Sequence, residues 1–165
     1  MAVSFTLLNL AAALDASEAR IEKMASQGHF APADKGGARR ARLWSLEEGL
    51  HVGSTLKLVD RGIPVAEAAF HARKLHLADY QSNRFLVVWK SFWVGISDPR
   101  HPGHNAWKSG QLGEAVSDDS TLSSGEWSCE IVDFDEVTDL VREFGTVTII
   151  SLGELRCRLE DRGVA

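Results

Sequence analysis

Cysteine is scarce in this chain of 165 residues, where Cys129 and Cys157 are the only two. Two thiols are too few for the disulfide framework of a small secreted domain or for a four-thiolate zinc site. Long apolar runs are missing as well, because no stretch approaches the roughly 20 uncharged residues of a membrane span. The first five residues lack the basic start and the cleavage site of a secretory signal. These absences predict a cytoplasmic protein that does not enter a membrane.

Catalytic and nucleotide-binding motifs are absent too. The chain contains no P-loop, no dinucleotide-binding glycine pattern and no nucleophile elbow. His101 and His104 place two imidazoles close together, but a zinc site needs three or four protein ligands and only Asp98 stands nearby. The sequence therefore predicts that the protein is not an enzyme and that it holds no metal or other cofactor.

Positively charged residues are fewer than negatively charged ones, and they are unevenly distributed along the chain. The formal net charge is −5. Residues 1–75 hold ten Lys/Arg against eight Asp/Glu, whereas residues 76–165 hold eight against fifteen, so that the two parts carry net charges of +2 and −7. Only the first part is suited to a polyanion, since the acidic part would repel one. This asymmetry predicts that the two parts of the chain have different tasks.

Apolar periodicity predicts two short helices near the start of the chain, over 6–14 and 17–27. The first has one apolar stripe with the spacing i, i+3, i+4, i+7. That stripe consists of Leu7, Leu10, Ala11 and Leu14. Ser17 is the predicted N-cap of the second helix, and Gly28 is its predicted left-handed terminator. A turn of about three residues between the helices is the spacing of a helix-turn-helix.

A basic segment follows the second helix. Gly36-Gly37 is a two-residue turn signal, and the short extended flanks predict a small β-ribbon over 33–43. Its cationic residues are Lys35, Arg39, Arg40 and Arg42.

Two more helices are predicted after the ribbon. Ser45 and Glu48 have the spacing of a capping box, and the helix that they begin is expected to run to Asp60. Gly62 follows its end, and Pro64 stands in the first turn of the fourth helix. These four helices and the ribbon form a predicted domain over 4–76.

The pattern changes after His76. Strands are predicted over 84–94, 126–132 and 146–150, helices over 135–144 and 151–163, and a long loop over 97–125. This order predicts a second, small α+β domain over 80–165. The fold class of the whole chain is therefore predicted to be α+β.

The first 76 residues resemble the DNA-binding domain of the MerR family of bacterial regulators. The matching pieces stand in the family's order: Leu10-Ala11, Ser17, Ile21, Gly28-His29-Phe30-Ala31-Pro32, Arg39-Arg40, Trp44-Ser45-Leu46-Glu47-Glu48, and a corner within 56–68. The resemblance implies a winged helix-turn-helix with the ribbon as its wing. It ends at the fourth helix, because residues 77–83 lead into a strand where the family continues into a long coiled-coil helix. The family's mechanism of activation therefore does not carry over.

The implied function is transcriptional regulation through sequence-specific binding of double-stranded DNA. A recognition helix lies in the major groove with its N-terminal residues at base edges. The candidate residues of that helix are Ser17, Glu18, Arg20 and Lys23. The candidate backbone or minor-groove contacts of the wing are Lys35, Arg39, Arg40 and Arg42.

A homodimer is expected, because small DNA-binding modules gain affinity by pairing on two half-sites. The candidate dimer contacts are the strands 85–94 and 146–150 and the final helix, and the C-terminal domain is the expected place for a small-molecule or protein effector.

Simpler interpretations remain open. The charged residues of the second helix can be an ordinary solvated face, and the basic segment can be a solubilising loop. Two alternative functions also remain: an excisionase-like protein that shapes DNA in a phage or mobile element, and a protein-interaction module of the antitoxin or adaptor type.

Overall fold

The computed structural model describes residues 4–30, 42–90, 93–96, 120–123, 127–144 and 147–162. The elements are, in chain order, β1 (Ser4–Phe5), α1 (Leu7–Leu14), α2 (Glu18–Ser26), β2 (Trp44–Ser45), α3 (Leu46–Asp60), α4 (Val65–Ala72), a 3₁₀ turn (Leu77–Asp79), β3 (Arg84–Lys90), β4 (Trp93–Ile96), β5 (Ser120–Ser123), β6 (Trp127–Asp133), α5 (Phe134–Phe144), β7 (Thr148–Ser151) and α6 (Leu152–Arg162). The predicted α+β fold class is confirmed.

Two compact units make up the chain, and one is inserted in the other. The first unit comprises Met1–Arg84 together with Ile150–Ala165, and the second comprises Phe85–Ile149. This division differs from the predicted continuous domains 4–76 and 80–165. The reason is that α6 packs on α1 and α3, so the last helix belongs with the first unit.

Local capping signals set the ends of α1 and α2. Thr6 and Ser17 are the N-caps, and the Ser17 hydroxyl accepts the backbone N–H of Arg20 at 3.3 Å. Asp15 ends α1 in the left-handed region, with φ at 53°, and α2 begins three residues later, at Glu18. Gly28, with φ at 80°, follows α2. The two predicted helices and their three-residue turn are thus present.

A capping box begins α3, as predicted. The backbone N–H of Ser45 donates to Oε2 of Glu48 at 2.6 Å, and the backbone N–H of Glu48 donates to Oγ of Ser45 at 3.2 Å. The helix ends at Asp60, and Gly62 turns the chain with φ at 89°. Pro64 then directly precedes α4.

A short antiparallel pair that the sequence did not reveal joins the start of the chain to α3. Phe5 on β1 faces Trp44 on β2, and both side chains are almost completely buried. Residues 33–41 of the predicted ribbon lie outside the described part of the chain, and the two described residues of that ribbon, Arg42 and Leu43, are not in a strand.

Glycines on α3 allow α6 to pack closely in the first unit. Gly49 and Gly53 are four residues apart, so they lie on one face of the helix. A Cβ atom at Gly49 would lie 3.5 Å from Cδ1 of Leu159, and one at Gly53 would lie 2.8 Å from Cδ1 of Leu155. The leucines of α6 thereby fill space that larger residues on α3 would occupy.

The second unit contains a three-stranded sheet in the order β6-β3-β7, and β4 pairs separately with β5 in antiparallel register. Val87, Val132 and Leu140 form its buried core. The predicted strand 84–94 is therefore two strands, and the predicted loop 97–125 contains β5; the rest of that loop, including His101 and His104, lies outside the described residues.

Candidate nucleic-acid interface

Helix α2 has one apolar and one polar face. Ile21 and Met24 are buried in the first unit, whereas Glu18, Glu22 and Lys23 are exposed. This distribution leaves a polar face available to a partner, as the recognition-helix prediction requires. It is also the distribution that a solvated surface helix would show.

Ser17 is exposed, and its side chain already caps the N-terminus of α2. Its hydroxyl oxygen accepts the N–H of Arg20 and thereby satisfies a free donor of the first turn of α2. The hydroxyl proton remains available as a donor to a phosphate or a base edge.

Arg20 is held by an ion pair that sequence reasoning missed. Its Nη2 donates to Oδ1 of Asp60 at 2.6 Å, and the two side chains are 35% and 59% exposed. The pair ties the first turn of α2 to the last residue of α3. Exposed ion pairs of this kind contribute about 0–1 kcal/mol, so another acceptor can replace Asp60 at small cost.

Arg61 is a cation near this site that the sequence did not single out. It follows Asp60 directly and is exposed. Because Asp60 contacts Arg20, the backbone of Arg61 is held close to the first turn of α2. In the sequence, Arg61 is only a cationic residue at the end of a predicted helix. Cationic residues are common at helix C-termini because they interact favourably with the negative end of the helix dipole.

Helix α2 is not itself a positive surface. Its two cationic residues, Arg20 and Lys23, are balanced by Glu18 and Glu22. Helix α2 alone therefore offers little electrostatic attraction to a polyanion such as DNA.

The predicted wing supplies four cations, of which the structure describes one. Arg42 is exposed and lies two residues before β2. Lys35, Arg39 and Arg40 lie outside the described residues. Both ends of the segment are anchored in the first unit, because Phe30 before it and Trp44 after it are buried. The β1–β2 pair also brings the end of the segment next to the start of α1.

No metal-binding cluster of three or more His, Cys, Asp or Glu side chains occurs in the described part of the chain. Within the same residues, every helix is too short or too polar to cross a membrane. The search of family models and the search of curated proteins each found no match for this chain.

Proposed function

We propose that the protein is a sequence-specific DNA-binding transcriptional regulator. Helix α2 would enter the major groove, and the basic segment 33–43 would bind the backbone or the minor groove. The observation that carries the proposal is the order of elements in the first unit. A helix, a three-residue turn and a second helix are followed by a basic segment whose end pairs, through β2, with the strand that precedes α1.

The side chains at the start of α2 suit base recognition. The carboxylate of Glu18 is an acceptor for the amino group of cytosine, and the guanidinium of Arg20 is a bidentate donor to guanine. To bind guanine, Arg20 would release the carboxylate of Asp60 and donate to the acceptor atoms of the base instead. Lys23, one turn further on, supplies a phosphate contact.

The wing provides the affinity that α2 lacks. If Lys23 and the four wing cations each neutralise one phosphate, a subunit makes about five phosphate contacts and a dimer about ten, with a log–log salt slope on the order of −9. These contacts do not depend on sequence, so their loss weakens binding to all DNA alike.

The protein is proposed to act as a homodimer on two half-sites. Two of the predicted dimer contacts are engaged within the chain, since α6 is buried on α1 and α3 and β3 has strands on both sides. The described sheet leaves β7 at one edge, and Ile149 on it is 40% exposed. Edge strands with exposed apolar residues are suited to pairing with a second chain.

Binding to selected genomic fragments over a salt series tests the proposal. The variant Arg39→Ala/Arg40→Ala is expected to weaken binding to every fragment and to reduce the salt slope by about two per subunit. The control Arg142→Ala/Arg158→Ala removes the same charge from α5 and α6, where each arginine forms an ion pair within its own helix. Equal weakening by the control would defeat the wing assignment.

Other outcomes of the same selection favour the alternatives. A bend in the bound DNA without any promoter-linked site would favour an excisionase-like protein. No retention of DNA at low salt would favour a protein-interaction module, because the electrostatic contribution to DNA binding is largest there.

A further inference from the structure

A cavity of about 170 Å³ opens in the first unit beside the end of α2. Phe30 and Trp44, both buried, form its apolar lining, and His29, Glu48, His51 and Arg73 form its polar lining. An engineered cavity of about 150 Å³ with an apolar lining binds benzene. The cavity therefore has the size for one aromatic ring.

The polar lining offers a cationic group to an anionic ligand. Arg73 is exposed and makes no ion pair with any residue in the described ranges, and a guanidinium stays charged at all relevant pH values. Nε2 of His51 lies 2.9 Å from the carbonyl oxygen of Leu75. Because a carbonyl only accepts, Nε2 is the donor in this hydrogen bond.

Glu48 adds a negative charge to the same lining, but its carboxylate is turned to the backbone at the start of α3. Its Oε2 accepts the backbone N–H of Ser45 at 2.6 Å in the capping box of α3. The carboxylate of Glu48 is thus held by the capping box, whereas the guanidinium of Arg73 has no carboxylate partner in the described ranges.

Trp44, one of the lining residues, also has a buried indole N–H. Its side chain is 1% exposed, and Nε1 has no acceptor among the described residues. A buried donor without a partner costs about 1–3 kcal/mol, so such groups are rare in folded proteins and require an explanation.

We propose that this cavity binds a monocyclic aromatic carboxylate. The ring would lie against Phe30 and Trp44, and the carboxylate would pair with Arg73. The class follows from the cavity: its size admits a single ring, its apolar lining is aromatic, and Arg73 is a guanidinium without an ion-pair partner in the described ranges.

The position of the cavity gives the ligand a way to affect DNA binding, a consequence that rests on the proposed function. Phe30 and Trp44 are the buried residues on either side of the basic segment. A ligand that contacts both Phe30 and Trp44 would link the two ends of that segment. Ligand binding itself does not depend on DNA and is measured without it.

Titration of the full-length protein with benzoate tests the proposal, with calorimetry and the indole N–H resonance of Trp44 as readouts. Trp44→Phe removes that resonance and so assigns it. Arg73→Gln is expected to weaken benzoate binding about tenfold. Lys74→Gln removes the same charge from the exposed neighbouring residue, which does not line the cavity, and is expected to leave the affinity unchanged.

Benzylamine serves as the ligand control, because it keeps the ring and reverses the charge. A saturable shift of the Trp44 resonance with benzoate, lost with benzylamine and weakened only by Arg73→Gln, supports the proposal. It is overturned by the absence of a saturable shift at millimolar benzoate, by equal affinity of Arg73→Gln and the parent protein, or by equal binding of benzylamine. A protein that binds benzoate but no DNA would retain this site and lose only the proposed function.

Discussion

Gly53 of α3 and Leu155 of α6 lie so close that a Cβ atom on the glycine would be 2.8 Å from Cδ1 of the leucine. The two residues are far apart in the chain, yet they stand in the same core. This contact makes the C-terminal helix a structural part of the unit that carries the proposed recognition helix.

Gly53→Ala is expected to destabilise the first unit. Forcing a methyl group into a filled core costs about 1–3 kcal/mol, and the better helix propensity of alanine offsets about 1 kcal/mol of this. The free energy of unfolding in urea measures the loss. Gly49→Ala is the graded control, because its Cβ would lie 3.2 Å from the nearest atom, Cδ1 of Leu10, and so disturbs less. Stability of Gly53→Ala equal to or above that of Gly49→Ala would contradict the described packing.

Leu155→Ala is expected to destabilise the protein by about 2–5 kcal/mol, because it leaves a cavity at a side chain that is 1% exposed. Leu8→Ala is the matched control on α1, where the leucine is 62% exposed, and a change within about 0.5 kcal/mol is expected there. Hydrogen exchange of the α1 and α3 amides should rise in the first variant and not in the second. Unchanged exchange in both would argue against α6 as part of this unit.

Asp60→Asn is expected to release Arg20 and to tighten DNA binding by up to about fivefold, the equivalent of a surface ion pair. The free energy of unfolding should fall by less than about 1 kcal/mol. Arg20→Ala should have the opposite effect on affinity and relax discrimination at particular base pairs. Glu67→Gln, which removes the same charge from an exposed site on α4, is the control. Weaker binding by Asp60→Asn would mean that the ion pair positions Arg20 for DNA.

Because of Tyr80, the first unit is expected to lose stability at alkaline pH. The side chain is 1% exposed, and its hydroxyl lies 3.1 Å from Oγ of Ser54. Burial raises the pKa of Tyr80 well above its ordinary value of 10.0. The unfolded chain therefore loses the phenolic proton first as the pH rises above that value, and the stability contributed by the neutral phenol falls by up to about 1.4 kcal/mol per pH unit.

The variant Tyr80→Phe isolates this effect, because it cannot ionise. The free energy of unfolding of the parent chain should fall more steeply above about pH 10 than that of Tyr80→Phe, and the two slopes should agree below it. Tyr80 is the only tyrosine of the chain, so tyrosinate absorbance reports on it alone. Tyrosinate formation near pH 10 in the folded protein would show that the phenol is accessible to solvent.

Much of the first unit could be predicted because its signals are local. Ser17 caps α2 and the Ser45–Glu48 box begins α3, each within one helical turn of the sequence. The predicted Gly28 terminator also depends on neighbouring residues only. Such signals identify helices without any knowledge of the tertiary structure.

The missed features depend on distant residues. Strands β1 and β2 have two residues each, too few to show a periodicity, and they exist only as a pair. The leucines of α6 predicted that the helix is buried but not that α1 and α3 cover it. The partner of Arg20 is 40 residues away. The candidate site was therefore identified by residue type, whereas the interactions of its residues required the structure.

The return of α6 to the first unit has a consequence for synthesis. Domains generally fold one after another as they leave the ribosome, beginning at the N-terminus. Here the first unit lacks part of its core until Leu155 and Leu159 have been translated. The second unit is therefore fully translated before the first unit is. A nascent chain arrested before α6 would expose the Gly49 and Gly53 face of α3, and we expect such a chain to depend on chaperones.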